Sequence, residues 1–403
     1  MNKREVYIID AARTPIGKYK GALKSIRPDD LAANLIRGII SRNPSVPATQ
    51  IEEVVLGNAN GAGEENRNVA RMSALLANLP IQVGGATINR LCGSGLDAVN
   101  YAARAILANE GDIFLAGGTE SMTRAPFVMA KPQSEFPRGS MQVYDTTIGW
   151  RFVNPLLQES YGTDSMPQTA ENVAVKFNIS REEQDRFALK SQMKAKNAID
   201  ENKFNNEIIP IEITDKKGNV QIVAKDEHPR PNTTLESLAN LKPLFDNGTV
   251  TAGNASGIND GASMLLLVSG EKKRELGLVA LGKYVVSATE GLEPALMGLG
   301  PIYATRKALS RANISTKDLG LVELNEAFAS QSIACIKQLE LNPEIVNVNG
   351  GSIALGHPLG ASGARILTTL LYEMKRRKDV RYGLATMCIG VGQGIATIVE
   401  KVE

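Results

Sequence analysis

Cys92-Gly93-Ser94-Gly95 opens a run in which Leu96, Val99, Ala103, Ile106 and Leu107 fall at helical spacing, and the strand-like Ile113–Ala116 follows it. Much later, Gly360-Ala361-Ser362-Gly363 opens a second such run, with Ile366, Leu367, Leu370 and Leu371, followed by Leu384–Met387. Apolar residues three and four apart mark one face of a helix, and a short apolar run marks a buried strand. The pairing is repeated upstream of each copy. Around Pro28–Asn58, Leu31, Leu35 and Ile39 lead to Ser41-Arg42, a loop, and the strand Val54-Val55-Leu56 before Gly57-Asn58. Around Ile302–Ala327, a helical run reaches Ser310-Arg311, a loop, and Val322-Glu323-Leu324 before Asn325-Glu326. Two matched pairs in the same order favour duplication over chance similarity between ordinary helix–strand units. The alternation of strand and helix predicts an α/β fold with mostly parallel sheets.

Between the copies the chain changes character. From about Met122 to Thr251 it has scattered Pro, many charges and only short apolar runs. Ser180–Asn202 reads as an amphipathic helix begun by a capping box, Ser180 with Glu183 three residues on. This divides the chain into a first half (1–121 with 252–274), an inserted loop-rich domain (122–251) and a second half (275–403). Insertions of this kind commonly build binding sites over a rigid scaffold.

Composition excludes several classes of function. With 43% hydrophobic and 22% charged residues, the 403-residue chain is that of an ordinary globular protein. A net charge of +2 gives no reason to expect nucleic acid or an anionic membrane as partner. The start MNKREVYIID has no apolar core of a signal peptide, and runs such as Met264–Val268 are too short to span a bilayer. Three cysteines, at 92, 335 and 388, make neither a disulfide framework nor a zinc spacing, and their odd number fits a reducing cytoplasm. No metal is expected.

Cys92 lies where a strand-like stretch turns into a helix. There, backbone N–H groups and the helix dipole are expected to favour a thiolate, and the small residues after it admit a ligand to the backbone. The same segment, GSGLDA, matches the dinucleotide fingerprint G-x-G-x-x-G/A, but no ribose-binding acid has a clear strand end to occupy, and that reading leaves Cys92 incidental. His357 is one of only two histidines and sits in the glycine-rich Asn349–Gly363. Its expected role is general base toward Cys92. Cys388, at the end of the strand Leu384–Met387 and beside glycines, is placed to move a proton at carbon. Cys335, among apolar neighbours on a helical run, reads as inert core. Asn325 ends another strand and is placed to position a water or an oxyanion donor.

Four stretches, NRLCGSGLDAV, NEAF, NGGSIALGHPLGASGAR and CIGVGQG, resemble the thiolase family, and the resemblance runs from Arg4 to Glu400. It implies two similar α/β halves in a five-layered αβαβα fold with a loop domain inserted in the first. It also implies reversible acyl transfer between 3-ketoacyl-CoA and CoA. By it, Cys92 carries the acyl group, His357 activates it, Cys388 is the acid/base, and Asn325 holds a water in one oxyanion hole. The N–H groups of Cys92 and Gly390 form a second oxyanion hole. Less directly, Arg230 and Ser237 look like loop-domain CoA contacts, and Met166, Ser256 and Phe328 like pantetheine-tunnel residues. CoA thioesters are then substrates rather than bound cofactors, and a homodimer or homotetramer is expected.

Departures from the biosynthetic acetoacetyl-CoA enzymes refine this. Ser165 stands where those have His, and Val391 where many have Gly. The stretch Tyr144–Pro155 with Asp164–Pro167 resembles 3-oxoadipyl-CoA thiolases, so a degradative enzyme is expected, with Trp150 on the acyl path and Arg151 either a cation there or a structural or subunit-contact residue. A biosynthetic acetoacetyl-CoA thiolase is the alternative. A decarboxylating synthase needs a second catalytic His, and the other histidine, His228, lies in the charged run Asp226–Arg230 of the insertion. A non-catalytic acyl-CoA carrier would have no use for an intact Cys92, His357, Asn325 and Cys388.

Overall fold

The computed structural model describes residues 4–402. Strands Ile113–Ser121 and Asn259–Ser269 are buried at every residue, which places them inside a sheet covered on both faces. Among the described residues ten strands form that sheet. Its order is Leu319–Leu324, Tyr382–Ile389, Gln393–Glu400, Gly282–Gly291, Val6–Arg13, Asn259–Ser269, Ile113–Ser121, Glu53–Gly57 and Gly84–Ile88, with Gly17–Lys18 paired to Asn259–Ser269.

The duplication expected from the sequence is visible in this order. The two halves meet at Val6–Arg13 and Gly282–Gly291, paired antiparallel with Val6 opposite Tyr284. Moving outward on either side, an antiparallel strand is followed by another antiparallel strand and then by a parallel one. The first half adds Gly84–Ile88 in parallel at its edge, and the second has only a parallel bridge from Val322 to Val346 in the equivalent place.

The expectation of mostly parallel sheets is corrected here. Parallel pairing is confined to the outer strands, and every pairing nearer the seam is antiparallel. The cause is local in the second half. After Ile389 the chain reverses through Gly390, Val391 and Gly392 rather than through a helix, with Val391 and Gly392 at φ +61° and +78°. A tight hairpin can join only antiparallel neighbours.

Helices cover both faces of each half. Pro28–Arg42 and Val69–Leu76 pack Leu31, Leu35, Ile36 and Ala70 against Leu56 and Leu266. On the opposite outer face, Gly300–Ala312 and Ala329–Gln338 pack against Val322, Leu384 and Ile398. Between the halves, Ser94–Leu107 and Leu359–Arg376 share one core with strand residues of both, including Val55, Leu265, Met387 and Ile395. Burying a leucine such as Leu96 or Leu367 there contributes about 2 kcal/mol.

The two central helices touch at their N-terminal ends, which explains the repeated small residues. A Cβ at Gly95 would lie 2.5 Å from Gly360 O, and one at Gly363 would lie 2.4 Å from Leu96 N. Side chains at these positions would force the helices apart. Their contact holds Cys92 and His357, each just upstream of its helix, in one region.

The segment between Ser121 and Asn259 adds no strand to this sheet among the described residues; it carries two small hairpins and four helices. The capping box at Ser180 and Glu183 opens Arg181–Asp200 as expected. A buried cation pins the segment down: Arg13, with no exposed surface, meets Glu207 Oε1 at 2.6 Å and Asp226 Oδ1 at 2.7 Å. No helix among the described residues is long and apolar enough to cross a membrane.

Candidate active site

Strand Gly84–Ile88 ends one turn before the helix Ser94–Leu107, and Cys92 occupies the junction. The residue before it, Leu91, has φ +46°, a left-handed conformation that costs a non-glycine residue about 1–2 kcal/mol. Leu91 N is held by Asn89 Oδ1 at 2.9 Å, and Ser94 Oγ accepts from Arg90 N and donates to Leu91 O. These bonds support the strained turn that presents the Cys92 side chain to a cavity.

The expected dipole-stabilised thiolate is corrected by the environment. Burial pushes the Cys92 thiol up to about 11, outweighing the backbone N–H groups of Gly390 and Cys92 itself that pull it down. The Glu120 carboxylate adds to the upward shift. The resting nucleophile is therefore a neutral thiol that needs a base. Gly390 is at the reversal after Ile389, next to a second left-handed residue, Val391, so two strained turns meet at one sulfur.

His357 is buried, and two hydrogen-bonded chains fix its ring. Ser362 Oγ lies 2.6 Å from Nδ1 and gives its own proton to Pro358 O at 2.8 Å. Nδ1 must then be the protonated nitrogen, which leaves the lone pair on Nε2. Asn325 Nδ2 faces that Nε2 at 3.4 Å. Burial and then the nearby Arg365 charge lower the imidazole to about 3, so it is neutral near pH 7 and able to accept a proton. The His357 backbone N–H donates to Asn259 Oδ1 at 2.9 Å.

Cys388 lies inside strand Tyr382–Ile389, one residue further than its expected end, and is buried with Met166, Phe328, Ala170 and Ala255. Burial raises its thiol well above the ordinary value, and the Cys92 sulfur raises it further. Two neighbouring thiolates are thus disfavoured. Cys335 contacts Gly298 O at 3.4 Å within the outer helix layer and is pushed up to about 12, as an inert core thiol should be.

A cavity of about 370 Å³ brings together Cys92, Gly390, Met166, Ser165, Trp150, Arg151, Glu120 and Val391. Trp150 donates from Nε1 to Asp164 O at 3.1 Å, which fixes its ring in the wall. Ser165 lines the cavity and also caps the helix Met166–Lys176. Glu120, buried, accepts from Ala59 N and Gly360 N, each at 2.8 Å, and burial still raises it to about 7. Arg230 and Ser237 line a different surface pocket, with Gln192, Leu238 and Ile353. His228 lines it too, lowered to about 4 chiefly by burial, while Arg230 two residues on is exposed. His357, Asn325, Cys388, Ser256 and Phe328 belong to neither lining; Ala255 bridges Phe328, and Ser256 N donates to Ala327 O.

The decisive observation is that two family models, the thiolase N-terminal domain and the thiolase C-terminal domain, match residues 6–271 and 278–401. The chain belongs to the thiolase family. Among its relatives, the 3-oxoadipyl-CoA/3-oxo-5,6-dehydrosuberyl-CoA thiolase of Escherichia coli (strain K12) is 56% identical over 99% of this chain and 100% of its own length. A beta-ketoadipyl-CoA thiolase of Pseudomonas aeruginosa is 53% identical over the same shares. Human mitochondrial 3-ketoacyl-CoA thiolase is similar in structure, with TM-score 0.93, 39% identity and full coverage of both chains.

Three residues of this thiolase site escaped the sequence reading: Ser352, Ser362 and Arg365. A signal for them existed. Within NGGSIALGHPLGASGAR they are, besides Asn349 and His357, the only polar side chains in an otherwise glycine-rich and apolar stretch. All three are buried.

The neutral thiol has a measurable consequence in this thiolase. With the thiol near 11, only roughly 10⁻⁴ of it is ionised at pH 7, and the fraction grows about tenfold per pH unit. Alkylation of Cys92 by iodoacetamide, followed by peptide mapping without substrate, should therefore climb steadily from pH 7 to 10. A plateau by pH 8 would show a preformed thiolate instead.

Proposed function

We propose that this thiolase cleaves 3-ketoacyl-CoA thioesters with CoA and favours acyl chains that end in a carboxylate, as in 3-oxoadipyl-CoA. The observation that carries the second part is Arg151. Arg151 lines the Cys92 cavity, is half-buried, and its side chain has no hydrogen-bond or ion-pair partner among the described residues. A charge-assisted bond from it to a carboxylate is stronger than a neutral one and is directional. The names of the relatives from Escherichia coli and Pseudomonas aeruginosa support the same substrate class.

In the proposed reaction Cys92 Sγ attacks the C3 ketone while its proton passes to His357 Nε2. The backbone N–H groups of Cys92 and Gly390, which already point at the sulfur, hold the oxyanion formed at C3. Collapse breaks the C2–C3 bond and leaves the shortened acyl group on Cys92. The departing acetyl-CoA enolate develops charge on its thioester oxygen, where the protonated His357 ring and Asn325 Nδ2 supply donors. Cys388 gives its proton to C2; a thiol kept neutral by burial suits that step. The Cys388 thiolate next takes the proton of an incoming CoA thiol, which attacks the acyl-enzyme. Cys92 leaves as a thiolate and recovers its proton from His357. Arg230 and Ser237, on the pocket they share with His228, are the proposed contacts for the CoA nucleotide and pantetheine. Met166 and Phe328, which pack together with Cys388, are proposed with Ser256 to flank the pantetheine path.

The test compares kcat/KM for 3-oxoadipyl-CoA and 3-oxohexanoyl-CoA in wild type and Arg151→Ala. The expected result is a fall of roughly tenfold or more for the dicarboxylic substrate, the scale of a charged hydrogen bond, with little change for the other. Equal losses on both substrates would show that Arg151 does not read the carboxylate.

A further inference from the structure

Asn325 helps the enolate only if its NH2 group, not its carbonyl, faces the reacting oxygen, and a free amide has no intrinsic preference between the two. The structure fixes that choice from the far side. Arg365, buried in helix Leu359–Arg376, points Nη2 at Ser352 Oγ at 2.7 Å. A guanidinium is donor only, so the Ser352 oxygen must be the acceptor there. The single Ser352 proton is then directed to Asn325 Oδ1 at 2.6 Å. With its carbonyl engaged, Asn325 presents Nδ2 to His357 Nε2. A flipped amide would set its NH2 against the Ser352 hydroxyl proton and its carbonyl against the His357 lone pair.

We propose that Arg365, acting through Ser352, is a positioning residue that locks the Asn325 amide with its NH2 toward His357 Nε2. The relay runs one way, from Arg365 Nη2 to Ser352 Oγ and from Ser352 Oγ to Asn325 Oδ1. It does not depend on the identity of the acyl chain, but it rests on the reading of Asn325 and His357 as the donors to the thioester oxygen. Nearby Glu323 Oε2 lies 3.6 Å from Arg365 Nη1 and makes no hydrogen bond to it, so Ser352 Oγ is the close partner of the guanidinium.

The test is a double-mutant cycle on the purified full-length enzyme, using thiolysis of acetoacetyl-CoA by CoA, with folding checked by thermal melting. Asn325→Ala is expected to lower kcat about a hundredfold, the scale of one oxyanion donor. Ser352→Ala is expected to lower kcat about tenfold with KM within twofold of wild type. In the Asn325→Ala background, Ser352→Ala should cost nothing more, because it acts only through that amide. Arg365→Lys, which keeps the charge that His357 feels but withdraws the Nη2 donor from Ser352, is the second arm should Ser352→Ala fail to fold and is expected to show the same non-additivity. Equal losses in both backgrounds, or no loss in Ser352→Ala alone, would overturn the relay. An inactive wild type would instead overturn the thiolysis reading.

Discussion

Cys92→Ala is expected to lower thiolysis by roughly 10⁴-fold or more, the scale of losing a covalent nucleophile. No other thiol is placed to replace it. Cys335 is buried in the outer helix layer against Gly298, and Cys388 is buried among Met166 and Phe328. Only Cys92 combines a half-buried side chain on the cavity with two backbone donors aimed at its sulfur. Incubating wild type with acetyl-CoA should add one acetyl group, mapped by intact-mass and peptide spectrometry to Cys92. Activity retained by Cys92→Ala would mean that the acyl group travels by another route.

Cys388→Ala should separate two steps that Cys92→Ala removes together. Acetylation of Cys92 by acetyl-CoA moves no proton at carbon and releases CoA as a thiolate, a leaving group that can take its proton from water when Cys388 is absent. Breaking or making the C2–C3 bond, by contrast, needs a proton moved at carbon. The variant is expected to keep measurable acetylation and to lose thiolysis by roughly a hundredfold or more, as for a general acid. Modest and equal losses in both would show that Cys388 only fills space in its apolar cluster. The cluster makes that comparison fair, since Ala leaves a small cavity and no unpaired polar group beyond the long 3.9 Å contact to Gln331.

Much of this architecture is written in short-range patterns. The repeated helix openings are legible because the close helix contact demands glycine at 95 and 363, and glycine is visible in a sequence. The capping box at Ser180 is equally local. The antiparallel pairing of Tyr382–Ile389 with Gln393–Glu400 is not, because the reversal after Ile389 uses Val391 in a left-handed conformation, where turn rules would look for Gly or Asn. The same limit applies at the site. A helix N-terminus beside Cys92 is readable, but the burial that overrides its dipole is a property of the whole fold. The relay through Ser352 and Arg365 joins residues on separate elements, and its meaning appears only once their donors and acceptors are seen to be used up. Arg151 stands at the opposite end: a short stretch of sequence offers it either as a cation on the acyl path or as a structural residue, and it lines the cavity.

The central claim is that a 3-ketoacyl chain is split onto Cys92, and a single-turnover experiment tests it most directly. Excess enzyme is mixed with 3-oxoadipyl-CoA in the absence of free CoA, quenched, and examined by peptide mass spectrometry alongside chromatography of the CoA thioesters. The predicted result is a succinyl adduct confined to the Cys92 peptide and an equal amount of acetyl-CoA, with succinyl-CoA appearing once CoA is added. Acetyl-CoA released without an adduct, or an adduct on Cys335 or Cys388, would contradict it.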